Sequence, residues 1–345
     1  TLTGSVSTGT TVIDLTATED LITQANGAAN STVQKNFESV DASSLSDGTA
    51  GSGVIFTGDG DANTFTGTSA ADTANLGAGD DTVVITTTTS LNSDTVNGEG
   101  GSNTIIIGDT LASGEVAHNT INLANFNAST LGDADNFDNF SNFQNVDASA
   151  ETTGSDDFAL TGTAAANTLI GGAGEDVITG GAGNDTLTGG AGADTFVFSA
   201  TNGTDTIKEF VTGTDKLDFD NIVTDFDNSS AVSFDGAVNS SQASGTVINS
   251  TGSSALADAS AAAALFEADD DADGADSGDA SKMELDDNGS FILIHQDGNG
   301  DAGADFDAQV FSVSSNTDGS EITATLIATL DNAADSSSVV FGDVV

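Results

Sequence analysis

Three aspartates nine residues apart, Asp176, Asp185 and Asp194, each stand sixth in a nonapeptide that opens on paired glycines. Gly171–Thr179 reads GGAGEDVIT, Gly180–Thr188 GGAGNDTLT and Gly189–Val197 GGAGADTFV. Carboxylates and peptide carbonyls present oxygen alone, and an all-oxygen donor set suits a hard cation; calcium takes six to eight oxygens at about 2.3–2.6 Å. The glycines mark a tight turn in which a Cβ is not tolerated. The residues after each aspartate form a short strand, with Val177 and Ile178, then Leu187 and Phe196, supplying its apolar side chains. Two such units make one coil of a two-sided solenoid, so stacking brings together carboxylates eighteen residues apart and the carbonyls of neighbouring turns. The spacing predicts that Asp176 and Asp194 share an ion on one edge and Asn167 and Asp185 on the other. Backbone carbonyls of Gly171, Ala173, Gly180, Ala182, Gly189 and Ala191 complete the expected donor set.

The same phase runs through weaker units. Gly162–Ile170 (GTAAANTLI) precedes the triplet and places Asn167 at the sixth position. Far earlier, Gly58–Thr66, Gly67–Asn75 and Leu76–Val84 place Asn63, Asp72 and Asp81 there, and Asp94 and Asn103 resume the phase after the threonine run Thr86–Thr89. Asn63 and Asp81 make the clearest pair of this block, whereas Asp72 has no obvious acidic partner across the phase break. A longer repeat contains both blocks: Phe37-Glu-Ser-Val-Asp-Ala-Ser43 recurs as Phe143-Gln-Asn-Val-Asp-Ala-Ser149, each followed by nonapeptides.

These elements predict an all-β chain, a parallel β-roll in two related units with a β-rich C-terminal region. Residues 1–106 hold the first unit, with degenerate nonapeptides over 58–106. Residues 107–219 hold the second, with well-formed repeats over 162–197 and a roll-closing segment at 203–219 that includes Asp205 and Asp215. Residues 220–345 form the acidic C-terminal region, with strands expected at 291–296, 309–313 and 322–330 and a short helix at 257–268. Two further acidic runs in it resemble the start of a calcium loop: Asp269, Asp271 and Asp273 before Gly274, and Asp297, Asn299 and Asp301. Both lack the glutamate of the twelfth position, where Ala280 and Ala308 stand.

Composition narrows the function. The 345 residues carry 54 acidic side chains against 4 lysines and arginines, a formal net charge of −50. Such a chain repels nucleic acid and anionic membranes alike, and its own repulsion opposes collapse until cations neutralise it. Cysteine is absent, so there is no disulfide, thiol nucleophile or thiolate metal site, and no apolar run is long enough for a membrane-spanning helix. The two histidines, His118 and His295, have no zinc spacing, and no catalytic constellation stands out.

The residues from Gly162 to Val197, with the segment from Gly203 to Phe219 that follows, resemble the RTX (repeats-in-toxin) family. The resemblance implies several bound Ca2+ ions and export through a type I secretion apparatus, with an uncleaved signal near the C terminus, where Phe341-Gly-Asp-Val-Val345 is compatible in type. It implies an extracellular or cell-surface location in a Gram-negative-type bacterium. With no separate catalytic domain in view, the expected role is non-enzymatic: a surface-layer, sheet or filament protein that assembles as a homo-oligomer or polymer with calcium, in company with cell-surface polysaccharide. An adhesin fragment and the secretion-and-folding tail of a larger exported enzyme are the alternatives.

Overall fold

The computed structural model describes residues 11–16, 38–43, 53–108, 119–126 and 139–222, with breaks at 69, 87–93, 153–155, 200–201 and 212, and beyond these a set of separate strands. The chain forms two compact units, one of residues 1–178 with 190–192 and the other of residues 179–189 with 193–345. The described residues are almost entirely strand and turn, as expected from a sequence in which β-branched residues alternate with glycine and aspartate.

In the first unit successive nonapeptide strands alternate between sheets. One sheet runs, in spatial order, through Ser39–Asp41, Thr64–Thr66, Thr82–Ile85, Thr104–Ile107, Asn145–Asp147 and Thr168–Ile170, parallel throughout. A second takes Phe140–Ser141, Thr95–Asn97, Thr73–Asn75, Val54–Thr57 and Thr11–Asp14 in parallel, then Leu21–Ala25 and Ala28–Ala29 antiparallel. A third pairs Asn119–Asn122 in parallel with Phe158–Thr161. Parallel pairs cannot be joined by a hairpin, so each strand is followed by a turn that carries the chain to another sheet. The eighth residue of each nonapeptide points inward: Phe65, Ala74, Val83, Val96, Ile105 and Leu169 are all buried. Phe56 stacks on Phe65 with centroids 5.1 Å apart, tying two sheets into one core.

The long repeat has a structural counterpart. Ser39–Asp41 and Asn145–Asp147 are equivalent strands, with Val40 and Val146 buried and Ala42 and Ala148 fully enclosed behind them. Asp41 and Asp147 each accept the amide of the serine two residues on, at 3.0 Å. Each strand also pairs with the strand of the nonapeptide that follows its motif, Thr64–Thr66 or Thr168–Ile170.

In the second unit Thr186–Thr188, Asp205–Lys208 and Ile322–Asp331 run parallel. Ala308–Ser315 and Ser290–Asp297 then follow antiparallel, and Val247–Gly252 and Val232–Phe234 are added in parallel. Thr195–Ser199 pairs with Lys216–Asn221, and Phe198 stacks on Phe219 at 4.9 Å. The three strands expected at 291–296, 309–313 and 322–330 are present. The helix expected at 257–268 is corrected at its C-terminal end: Ala263 is helical, but Phe266–Ala268 is a strand in parallel register with Met283–Leu285. A short alanine-rich helix is marginal by itself, and an available strand partner outweighs its propensity. The remainder of that segment lies outside the described residues.

Candidate metal centre

The sixth-position side chains form ladders along the edges of the sheets, built on backbone amides. At most rungs the side-chain oxygen accepts the amide of the equivalent residue one coil earlier. In the first unit Asp81 accepts from Asn63 at 2.8 Å, Asn103 from Asp81 at 2.9 Å and, through its Oε1, Gln144 from Asn103 at 2.8 Å. On the other edge Asp72 accepts from Val54 at 2.6 Å and Asp94 from Asp72 at 2.8 Å. Asp176 accepts from Phe158 at 2.7 Å. In the second unit Asp205 accepts from Asp185 at 3.0 Å and Asp215 from Asp194 at 3.1 Å. Every side chain of these ladders is buried apart from Gln144, and the strands force it, since they fix each turn directly over the next.

The turns themselves come in two forms. In the closed form the amide at position two donates to the side chain at position six: Thr68 to Asp72 Oδ2 at 2.6 Å, Gly172 to Asp176 Oδ2 at 2.8 Å, Asp59 to Asn63 at 2.9 Å and Thr163 to Asn167 at 2.6 Å. Both carboxylate oxygens of Asp72 and Asp176 therefore have protein donors. In the open form positions two and four both have positive φ: 99° and 125° at Gly77 and Gly79, 101° and 111° at Gly181 and Gly183, and 107° and 132° at Gly190 and Gly192. A left-handed residue at position two swings its amide away from the sixth side chain. In the turn that ends at Asp81 the buried Oδ2 accordingly has no hydrogen-bond partner.

Where the nonapeptide opens on glycine, that glycine makes room for the outer oxygen of the sixth residue. A Cβ at Gly180 would run into Asp185 Oδ2, one at Gly189 into Asp194 Oδ2, and one at Gly67 into Asp72 Oδ2. Carbonyls of the adjacent coil crowd the other glycines. Gly77 and Gly79 lie against the carbonyls of Asp59 and Asp61, and Gly190 and Gly192 against those of Gly172 and Gly174. Gly172 O also accepts the Ala191 amide at 3.0 Å.

Burial without a cation penalises charge. Desolvation pushes the carboxyl of Asp205 up to about 7, with the Asp185 carboxylate adding to the shift and the Asp185 amide and Asn202 opposing it. Desolvation raises Asp176 to about 6 against the amides of Phe158 and Gly172, with the charge of Asp157 adding to the rise. Asp72 and Asp81 are raised as well, again by desolvation first; at Asp81 the charges of Asp59, Asp80 and Glu99 reinforce it. A donor set of buried carboxylate oxygen, carbonyl oxygen and glycine clearance, under a charge deficit, fits calcium: it is oxygen-only and flexible, with too little positive charge of its own.

The structure places the expected residues as follows. Asn63 and Asp81 are brought together as expected. Asp72 does have a partner across the phase break, which is a correction: Asp94, twenty-two residues on, accepts its amide. Residues 87–93 of the insertion lie outside the described residues, and the stacking on either side of them is continuous. Asp185 and Asp194 meet Asp205 and Asp215 on their C-terminal side, so the roll-closing segment continues the ladder. Asp269, Asp271, Asp273, Asn299 and Asp301 lie outside the described residues, and Asp297 ends the strand Ser290–Asp297. Asp94 and Asn103 keep the nonapeptide phase in the sequence, and the structure adds both to the ladder. Sequence reading missed Gln144 altogether, because the ladder steps forty-one residues to reach it. It also missed the carboxylates of Glu38, Asp59 and Asp61, which approach to within 4.8 Å of one another.

A family profile described as the RTX calcium-binding nonapeptide repeat matches four copies in the chain, over residues 57–84 and 161–196. No curated protein matches the chain. The matched stretches coincide with the two blocks of laddered turns, and RTX nonapeptide arrays bind several Ca2+ ions. The chain therefore carries RTX calcium-binding nonapeptide repeats and binds Ca2+ through them.

Proposed function

We propose that the protein is a secreted structural component of a bacterial cell surface that folds outside the cell on binding calcium and self-assembles with it into a layer, sheet or filament. The observation that supports the folding step is the buried, partnerless Oδ2 of Asp81 in an open turn, a geometry repeated in backbone form at Asp185 and Asp194. In these turns the ions are held by the sixth-position carboxylate with carbonyls of the stacked turns, including those of Gly171, Ala173, Gly180, Ala182, Gly189 and Ala191. Calcium there supplies neutralisation and cross-bridging between coils.

Export and folding are thereby coupled. At the low free calcium of a cytoplasm the carboxylates repel and the aspartate turns stay open; in millimolar calcium, ion binding contributes its free energy to closing them. Members of this repeat family are typically exported by type I secretion, and no proline or cysteine is present to impose a slow isomerisation or oxidation step. The repeat itself is non-catalytic, which favours a structural role for a chain built around it. Assembly is favoured by charge: surfaces this acidic approach one another only with divalent ions between them. Light scattering and electron microscopy of the purified chain in calcium and in chelator test the proposal. Calcium-dependent, chelator-reversible assemblies are expected, and a protein that folds with calcium yet stays monomeric at high concentration overturns the assembly step.

A further inference from the structure

One edge of the first unit carries amides where the family pattern has carboxylates: Asn63, Asn103, Gln144 and Asn167, with Asp81 among them. The turn that ends at Asn103 is the most informative. Its backbone is the open form, with φ of 57° at Glu99 and 101° at Gly101 in positions two and four. Glu99 is not a glycine, and a non-glycine residue there pays a conformational cost that the turn must recover elsewhere. The Glu99 amide is turned onto Asn97 Oδ1 at 3.0 Å, away from Asn103. Gly98 supplies the clearance seen at Gly180 and Gly189: a Cβ on it would run into Asn103 Nδ2 and into the Asn142 carbonyl. Asn103 Nδ2 thus occupies the place that Oδ2 takes in Asp185 and Asp194.

What differs is what that atom does. Asn103 Oδ1 accepts the Asp81 amide at 2.9 Å, as an aspartate would, while Nδ2 donates to the Asn142 carbonyl at 2.9 Å. Asp81, one coil earlier on the same edge, has an oxygen in the corresponding place and no partner for it. A carbonyl that would be a cation ligand beside a carboxylate is satisfied here by an N–H, and no charge is buried. Asn167 repeats the device with Nδ2 donating to the Gln144 carbonyl at 2.7 Å.

We infer that Asn103, supported by Asn167, is a metal-free latch: its side-chain amide does the bridging between coils that a calcium ion does at an aspartate, so this edge of the first unit stays ordered when calcium is absent. The latch gives the repeat array an ion-independent seam on which the calcium-dependent turns close. It rests on calcium binding by the aspartate turns and is independent of whether the protein assembles.

Hydrogen exchange of the full-length chain, read by mass spectrometry in chelator and in millimolar calcium, tests the latch directly. In chelator the amides of Asp81 and Asn103 should be protected while those of Asp185 and Asp194 exchange freely. Asn103→Asp places an anionic oxygen in the same cradle. Protection of Asp81 should fall at least tenfold in chelator (about 1.4 kcal/mol) and return in calcium, because the variant turn has become an ion site. Asn103→Ala, which has neither donor nor ligand, should lose protection in both conditions, so a general folding defect is distinguishable from a switch to calcium dependence. Wild-type protein with no protection at Asp81 in chelator overturns the inference, as does an Asn103→Asp variant that matches wild type there or that calcium fails to restore. If calcium has no effect on Asp185 and Asp194 either, the calcium reading itself fails.

Discussion

The turns that end at Asp72 and Asp81 lie in neighbouring nonapeptides and differ in backbone form, at positions two and four. At Asp72 position two is Thr68, whose amide and hydroxyl both reach the carboxylate, the amide at 2.6 Å. At Asp81 position two is Gly77 with φ of 99°, and the outer oxygen is left buried without a partner. The first carboxylate is satisfied by protein, the second by a charge that must come from outside. A ladder of identical aspartates therefore holds two kinds of site. The residue four positions upstream biases the choice without fixing it: threonine resists the left-handed conformation and glycine accepts it at little cost, yet Gly172 stands in a closed turn and Glu99 in an open one. Thr163 and Asp59 obey the same rule in the closed turns of Asn167 and Asn63.

Replacing each aspartate by its amide breaks this comparison most sharply. Asp81→Asn keeps the acceptor for the Asn63 amide and puts an N–H2 where the partnerless oxygen was. The turn should lose its ion, its local calcium affinity falling at least tenfold (about 1.4 kcal/mol), with no loss of order in chelator. Asp72→Asn instead confronts the Thr68 amide with a second donor. That variant should be destabilised by about 1–3 kcal/mol whether or not calcium is present. Calcium titrations and thermal melts followed by circular dichroism separate the two; equal calcium dependence in both variants would abolish the distinction between open and closed turns.

Much of this was legible in the residues. The nonapeptide phase gave the inward residues Ile178, Leu187 and Phe196, the parallel sheets and the sixth-position ladder, because a solenoid repeats one local solution and its period is visible in one dimension. Val177, beside Ile178, faces outward and is 43% exposed, as period-two alternation requires. The step from Asn103 to Gln144 was hidden, since stacking is decided in space and the loops between coils vary in length without disturbing it. Turn form was hidden in part. Gly172 and Gly181 stand at the same place in the same GGAG motif, yet only Gly181 has positive φ. Glycine permits either conformation, so its identity sets no preference between them.

Methylating that position sharpens the comparison with a smaller effect. Gly190→Ala would force a Cβ onto a left-handed backbone and against the Gly172 carbonyl. It should cost about 1–3 kcal/mol of stability in calcium. Gly172→Ala meets ordinary backbone with its nearest neighbours, the Glu151 Cβ and carbonyl, at 3.2 Å. Its closed turn should lose less than half as much. Thermal melts of the two calcium-loaded variants decide it: an equal loss would mean that crowding, and not φ, governs the turns.

The gentlest probe is the proton, which competes with calcium for the same buried oxygens. Asp176 and Asp205 are raised from 3.8 to about 6 and about 7, chiefly by desolvation. Between pH 4 and 7 the folded, calcium-free chain therefore binds more protons at these two positions than the unfolded chain does. Stability from these groups is fully present below about pH 4 and declines as pH rises through 6 and then 7. In chelator the melting temperature should fall across that window and level off above it. In calcium the dependence reverses at Asp205, because binding must displace its proton: affinity there should weaken as pH drops below 7. Asp205→Asn cannot titrate, so it should flatten the upper part of the chelator profile and leave the step near 6 in place. A profile unchanged by that substitution would assign the pH dependence to the net charge of the whole chain and remove Asp205 from the comparison.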